Sequence, residues 1–312
     1  MEITLIGIMA AAAGGFLGAV IGGLISFVFL GLGLFVGIAV AVATGDGTFL
    51  DVVAWGPVFG PQTLFAGGVA AAAYAARVGV LPGGGRDVGT PLVSLSRPDV
   101  LLVGSVFGVF GHVLQQAILA TPWLDTRIDA IALSIIASSV VVRLAFGRTG
   151  IIGAHSQGLT GWKKFQPTAE HSWLPWQQKP LHITVLGFFL GGFSALITLE
   201  LARMFPEAAG QVMFVGFAIS ATALLFLVLG HPMPVTHHMT LQGALAVMLI
   251  SARWADTPVW LLVLIGGVVG AIASLVCEAA SRLFTIRGDT HVDPPTAANL
   301  VVALALNLTL AA

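Results

Sequence analysis

Along this chain long apolar runs alternate with short polar breaks, and the breaks carry prolines and several of the histidines. Residues 3–43 are apolar throughout, roughly twice the 20 or so residues that one helix needs to cross a bilayer. The pattern divides them near Gly22-Gly23-Leu24 into two helices. Further helices are expected from about Pro61 to Ala76, Val100 to Ala120 and Ala130 to Phe146, followed by a polar connection over 147–180. The second half repeats the plan. Its helices run from about Leu181 to Met204, Ala209 to Leu229, the His231–His238 break to Ile250, Val259 to Leu283, and Pro294 to Leu310.

The breaks pair across the two halves. Gly56-Pro57-Val58-Phe59-Gly60-Pro61-Gln62-Thr63 stands before the third helix, as Gly230-His231-Pro232-Met233-Pro234-Val235-Thr236-His237-His238 stands before the eighth. Asp125-Thr126-Arg127-Ile128-Asp129 answers Asp289-Thr290-His291-Val292-Asp293, each just ahead of the last helix of its half. Gly15-Phe16-Leu17-Gly18 answers Gly187-Phe188-Phe189-Leu190-Gly191. An odd number of crossings per copy forces opposite orientations. The expected fold is therefore an all-α polytopic membrane protein of about ten transmembrane helices, arranged as two inverted five-helix repeats. They cover 1–146 and 181–312, joined by an amphipathic cytoplasmic linker at 147–180. In that linker Trp162, Trp173 and Trp176 lie near Lys163, Lys164 and Lys179, a composition suited to a membrane interface.

Composition agrees with the pattern. Only 9% of the residues are charged and 57% are hydrophobic, whereas a soluble domain carries about 25% charged residues. The expected partner is the lipid bilayer. No basic cluster is dense enough for nucleic acid, and glycine-rich helices allow close packing and a homo-oligomer. The single cysteine, Cys277, excludes an internal disulfide or a cysteine metal cluster. Of thirteen basic residues, only Arg127, Arg203 and Arg253 fall on one side of the ten-helix plan. The positive-inside rule then places the chain in the cell membrane with both termini extracytoplasmic. Arg143, Arg282, Glu200 and Glu278 lie near helix ends, where snorkelling to the interface is the cheapest explanation.

Proline at the first turn of a helix forfeits no hydrogen bond, so Pro61, Pro294 and Pro295 read as helix starts. If such helices begin partway into the membrane, their free N–H groups and positive dipole ends face a cavity and favour anions. The candidate substrate-binding residues are accordingly Gln62, Thr63, Thr236, His237, His238, His291, Asp293, Pro294, Thr296 and Asn299. Imidazole beside carboxylate can relay protons near neutral pH, which nominates His237, His238, His291, Asp289 and Asp293. The same groups could bind a transition metal, or simply sit at an interface. Adjacent His237 and His238 point about 100° apart on a helix, an arrangement unlike a shared zinc site. Asp129 and Asp293 also have an ordinary use as helix caps. His112, Gln115 and Gln116 share one helical face, expected to point into the bundle. No nucleophile elbow, Walker loop or His-Glu-x-x-His motif occurs, so neither an enzyme nor a cofactor is expected.

The second half resembles the HPP family of small integral membrane proteins, some associated with nitrite transport. The resemblance rests on Phe217–Phe226, Gly230-His231-Pro232-Met233-Pro234, Gln242-Gly243-Ala244 and His291-Val292-Asp293-Pro294-Pro295-Thr296-Ala297-Ala298. Asp293 stands where that family has the histidine before its two prolines, and His291 lies two positions earlier. The resemblance implies passage of a small anion such as nitrite. The five-plus-five plan also looks like that of urea channels, without their Asn-Pro signature. A membrane transporter or channel for a small anion, passing between the repeats with proton linkage, is the leading expectation. A non-transporting scaffold or sensor using 147–180, and a divalent-metal carrier, are the alternatives.

Overall fold

The computed structural model describes residues 3–154 and 159–310, and its regular structure is helical. Among the described residues ten helices have at least 14 residues. They are α1 (Leu5–Ile21), α2 (Gly23–Thr44), α3 (Leu64–Arg77), α4 (Pro98–Leu119), α5 (Ala130–Phe146), α6 (Pro180–Met204), α7 (Val215–Val228), α8 (His237–Arg253), α9 (Val259–Ala280) and α10 (Pro294–Leu310). Five stretches are long and apolar enough to cross a membrane: Gly23–Thr44, Pro98–Leu119, Pro180–Met204, Pro206–Val228 and Val259–Thr285. The others are shorter. At 1.5 Å per residue the 14 residues of α3 reach about 21 Å, less than the ~30 Å of a hydrocarbon core.

Local chemistry sets the boundaries. Gly22 has φ 90°, a left-handed conformation that ends α1 and lets α2 begin at once. Thr4 caps α1 by accepting from Gly7 N at 3.0 Å, and Asp129 caps α5 by accepting from Ala132 N at 2.9 Å. Pro294 opens α10 as the first-turn rule requires. Pro61 does not open α3. The Thr63 hydroxyl and the Leu64 amide both bond the Gly60 carbonyl, so Pro61 sits in a turn and the helix starts three residues later.

Glycines bring three helices of each half together. In the first half Gly15 of α1, Gly67 of α3 and Gly104 and Gly108 of α4 meet, and a Cβ on Gly67 would lie 2.6 Å from Gly15 Cα. In the second half Gly191 of α6, Gly243 of α8 and Gly266 and Gly270 of α9 meet, and a Cβ on Gly243 would lie 2.5 Å from the Gly191 carbonyl oxygen. One spacing separates Gly15 from Gly67 and Gly191 from Gly243; another separates both Gly104 from Gly108 and Gly266 from Gly270. The second helix of each half packs elsewhere: α2 lies along α7, with Phe27, Leu30 and Leu34 against Phe217, Ala221 and Leu224 in the largest apolar core. The last helices also meet across the halves. Arg143 of α5 donates to Thr290 Oγ1 (2.9 Å) in the break before α10, and Asn307 of α10 donates to the Arg127 carbonyl (3.1 Å) in the break before α5.

The connections gather at two ends of the bundle. At the basic end Leu24 N bonds the Val88 carbonyl, Arg86 bonds the Thr285 and Ile286 carbonyls, and Ala154 N bonds the Arg287 carbonyl. The described part of the 147–180 connection folds into this end as a tie: Gln177 exchanges two hydrogen bonds with Val235 (2.6 and 2.7 Å), and Trp176 Nε1 donates to Met233 O. At the opposite end Trp55 packs on Phe214 and Gln62 bonds the Trp55 carbonyl. Two expectations need correction here. Arg143 does not snorkel: it is 1% exposed, because the chain after α5 and the α9–α10 connection close over its head. Glu278 is buried too, since Arg282 neutralises it at 2.7 Å.

Candidate functional site

Three helix starts lie inside the fold. Pro61–Leu64 ahead of and opening α3, Val235–Thr240 at α8, and Val292–Thr296 at α10 are all buried. Neither α3 nor α8 has a side-chain cap at its first turn; at α3 the Leu64 and Ala66 amides bond the Gly60 and Pro61 carbonyls instead, and the positive dipole ends of both helices lie within the protein. At α10 the cap is Asp293, whose Oδ2 accepts from Thr296 N (2.9 Å) and Thr296 Oγ1 (2.6 Å). Its other oxygen faces His291 Nε2 at 3.1 Å. One carboxylate thus serves both the helix start and the imidazole.

Aromatic rings from four helices close around this region. The His237 ring stacks on Phe27 with centroids 4.9 Å apart and meets Phe217 edge-on at 5.4 Å. Phe27 meets Phe65 at 4.9 Å, and Phe65 meets His291 at 5.9 Å. A cavity lies on each side of this septum. One, of about 320 Å³, faces the basic end and is lined by Phe65, Arg86, Asp87, His291 and Asp293 among others. The second, of about 310 Å³, faces the opposite end and includes Trp55, Asp129, Gln242, Thr296 and Asn299. Phe27 and His237 line both.

Several polar groups at the septum and the cavity beside it are buried without partners: both ring nitrogens of His237, Gln242 Oε1 and Trp55 Nε1; those of His238 are unpaired too, outside both cavities. An unpaired buried polar group costs free energy comparable to its desolvation, and these groups beside the cavities have hydrogen-bonding capacity to spare. Residues 1–312 match a family of unknown function (DUF7973). The chain belongs to DUF7973. No curated protein and no solved structure matches it. The DUF7973 match spans both cavities, the septum and the 147–180 connection.

The structure brings together His237, His291, Asp293, Thr296 and Asn299 of the residues nominated by the sequence. The His238 ring meets that of His237 edge-on, with centroids 6.0 Å apart, and lies outside both cavities. Gln62 Nε2 donates to Gln115 Oε1 (2.9 Å) and the Trp55 carbonyl while Gln62 Oε1 is buried without a partner, the Thr63 hydroxyl donates to the Gly60 carbonyl, and Thr236 supports the first turn of α8 through its carbonyl. Pro294 shapes the start of α10 without lining a cavity. Asp289 stands apart from the septum, accepting from Thr149 Oγ1 (2.8 Å) and Arg148 N (2.6 Å). Among the described residues no three His, Cys, Asp or Glu side chains come together to hold a metal ion. Phe27, Phe65, Phe217, Trp55 and Arg86 are the participants that sequence reasoning missed. A phenylalanine inside an apolar run carries no mark of its neighbours, and Arg86 is one of two arginines in the polar connection between α3 and α4.

Proposed function

We propose that this protein is a multi-pass membrane transporter, built as two inverted five-helix repeats, that moves a small weak-acid anion such as nitrite in linkage with protons. The observation that carries the reading is the pair of cavities at opposite ends of the bundle, parted by the Phe27–His237 septum. A closed partition between two solvent-facing chambers is what alternating access requires, and its site lies where repeats meet at interrupted helices. The repeat is supported by the matching glycine contacts, by Asp129 and Asp293 capping the last helices, and by the exchange of contacts between α5 and α10. Uncapped α8, together with Arg86 and His291 in the basic-end cavity, supports an anion there. The His291–Asp293 pair supplies a proton acceptor at the septum. The HPP resemblance adds nitrite as the first solute to try. With the basic end in the cytoplasm, both termini lie outside the cell.

Flux into proteoliposomes tests this, comparing nitrite, formate, urea and a divalent metal with and without a pH gradient. Saturable nitrite or formate uptake stimulated by the gradient is expected. Uptake of urea alone would remove the anion, uptake of the metal alone would favour the carrier reading, and no flux from folded protein would overturn transport. In that last case the scaffold reading gains, with the exposed Trp162 (75%) and the neighbouring Lys163 and Lys164 as its partner surface.

Two variants sharpen the reading. His291→Ala is expected to remove gradient stimulation, about tenfold or more, while membrane insertion stays normal; unchanged stimulation would take His291 out of the proton path. Phe27→Ala removes one of the two rings shared by both cavities. Ungated leak of small solutes, several-fold above the parent protein, is expected at matched protein density. A tight Phe27→Ala vesicle would show that the septum is not the barrier.

A further inference from the structure

The two cavities differ in chemistry. The basic-end cavity offers a guanidinium, Arg86, and the His291 imidazole, set against two carboxylates, Asp87 and Asp293, of which Asp293 is engaged by His291 and Thr296. The opposite cavity has neither lysine nor arginine in its lining and carries a carboxylate, Asp129. An anion entering it meets like charge and finds no fixed counter-charge. What this cavity does offer is a set of neutral hydrogen-bonding groups without partners. Gln242 is fully buried, and its Oε1 has none while its Nε2 donates to Asn299 Oδ1 at 3.0 Å. Turning both amides over exchanges their roles and still leaves one acceptor and one donor free. Trp55 Nε1 is a donor without an acceptor, and neutral His237, 3% exposed, adds one donor and one acceptor.

We propose that this opposite-end cavity binds the transported solute in its uncharged form, a small weak acid with its proton on. The inference rests on the transporter reading and names the species that reading leaves open. An anion such as a carboxylate or nitrite presents acceptors only, so the free acceptor of the Gln242–Asn299 pair would stay unpaired beside it. The protonated acid presents one O–H donor and one adjacent acceptor, which pair with that amide acceptor and with the Trp55 or His237 N–H. The aromatic wall of Phe27, Phe214 and Phe217 suits an uncharged body. On the other side of the septum the same solute, its proton left to His291–Asp293, becomes the anion that Arg86 and the α8 start can hold. No covalent step is involved; the proton travels with the acid and parts from it at the septum.

A primary amide has the same donor and acceptor as the acid and does not titrate, so it separates form from charge. The test is equilibrium binding of radiolabelled propionamide and propionate to the purified full chain in detergent at pH 7.5. Saturable propionamide binding is expected, about tenfold or more tighter than propionate. Gln242→Leu should weaken it about tenfold, and Trp55→Phe, which keeps a ring against Phe214 and Phe217, about threefold. Propionate binding as tightly as propionamide would overturn the proposal. So would propionamide binding indifferent to both substitutions, or no saturable binding of either by monodisperse protein. Propionamide binding without solute flux would uphold the cavity chemistry and remove the transporter. Gradient-driven acid flux without propionamide binding would do the reverse.

Discussion

Arg143→Ala is expected to destabilise the folded protein by about 3–5 kcal/mol, because it strips several acceptors of their charge-assisted donor at once. The Arg143 head is the pin between the end of α5 and the connection from α9 to α10. Its Nε donates to Thr290 Oγ1 (2.9 Å), one terminal nitrogen donates to the Ile151 (2.8 Å) and Phe284 carbonyls, and the other donates to the Thr290 carbonyl. With the side chain 1% exposed, water cannot replace it without opening that end. The Phe284 and Thr290 carbonyls would be left unpaired, each costing about 1–3 kcal/mol, while Ile151, 41% exposed, can turn to water. The planar guanidinium reaches all of them from one position; a lysine ammonium does not, so Arg143→Lys should recover only a minor part. Thermal unfolding of the purified protein in detergent measures it. Asn307→Ala, which removes the single bond to the Arg127 carbonyl, serves as the comparison at about 1 kcal/mol. If Arg143→Ala melted with the parent protein, the pin would carry no stability. A change confined to Arg143 would also locate the effect at the break before α10, where His291 and Asp293 are held.

What the sequence made legible follows from how each feature is encoded. Helix spans are written as apolar length, and their ends as glycine, proline and capping aspartate, so Ala130–Phe146 and Pro294–Leu310 could be read directly. The break at Gly22 was legible for the same reason. His237 and His238 were nominated together because polar residues stand out in an apolar chain; that only His237 reaches the cavities depends on which face of α8 meets α2 and α7. The septum itself was not legible. Phe27 is 4% exposed, whereas Phe29 and Phe35 in the same helix are 43% and 38% exposed, and nothing in the run distinguishes them. Arg143 was misread because its partners are backbone carbonyls contributed by residues far along the chain, and a carbonyl has no sequence signature. Asp289 was grouped with His291 by proximity in sequence, but the backbone between them turns it toward Thr149.

Gly15→Ala and Gly191→Ala are expected to damage the two halves alike, each by about 1–3 kcal/mol or more. Adding a methyl group to an exposed helical glycine normally helps, since alanine is favoured in helices by about 1 kcal/mol. Here the methyl has nowhere to go. On Gly191 it would lie 2.5 Å from the Gly266 carbonyl oxygen and 2.8 Å from Gly270 Cα, and on Gly15 it would lie 2.8 Å from Gly108 Cα and closer still to the Gly104 carbonyl oxygen. Both obstacles are backbone, which cannot rotate aside as a side chain can, so α1 must move from α4 and α6 from α9. In lipid such contacts are the principal attraction between helices, because no hydrophobic effect drives them together. Gly33 in α2 is the control: its added Cβ meets only Ala54 Cβ at 3.8 Å, so Gly33→Ala should leave stability unchanged or raise it. Unfolding midpoints and monodispersity of the three variants in one detergent decide the matter. Equal losses for Gly15→Ala and Gly191→Ala with none for Gly33→Ala would support the two halves using one packing device. Loss in one half alone would mean that the matching glycine spacing is not matched in energy, and the repeat would lose its strongest packing argument.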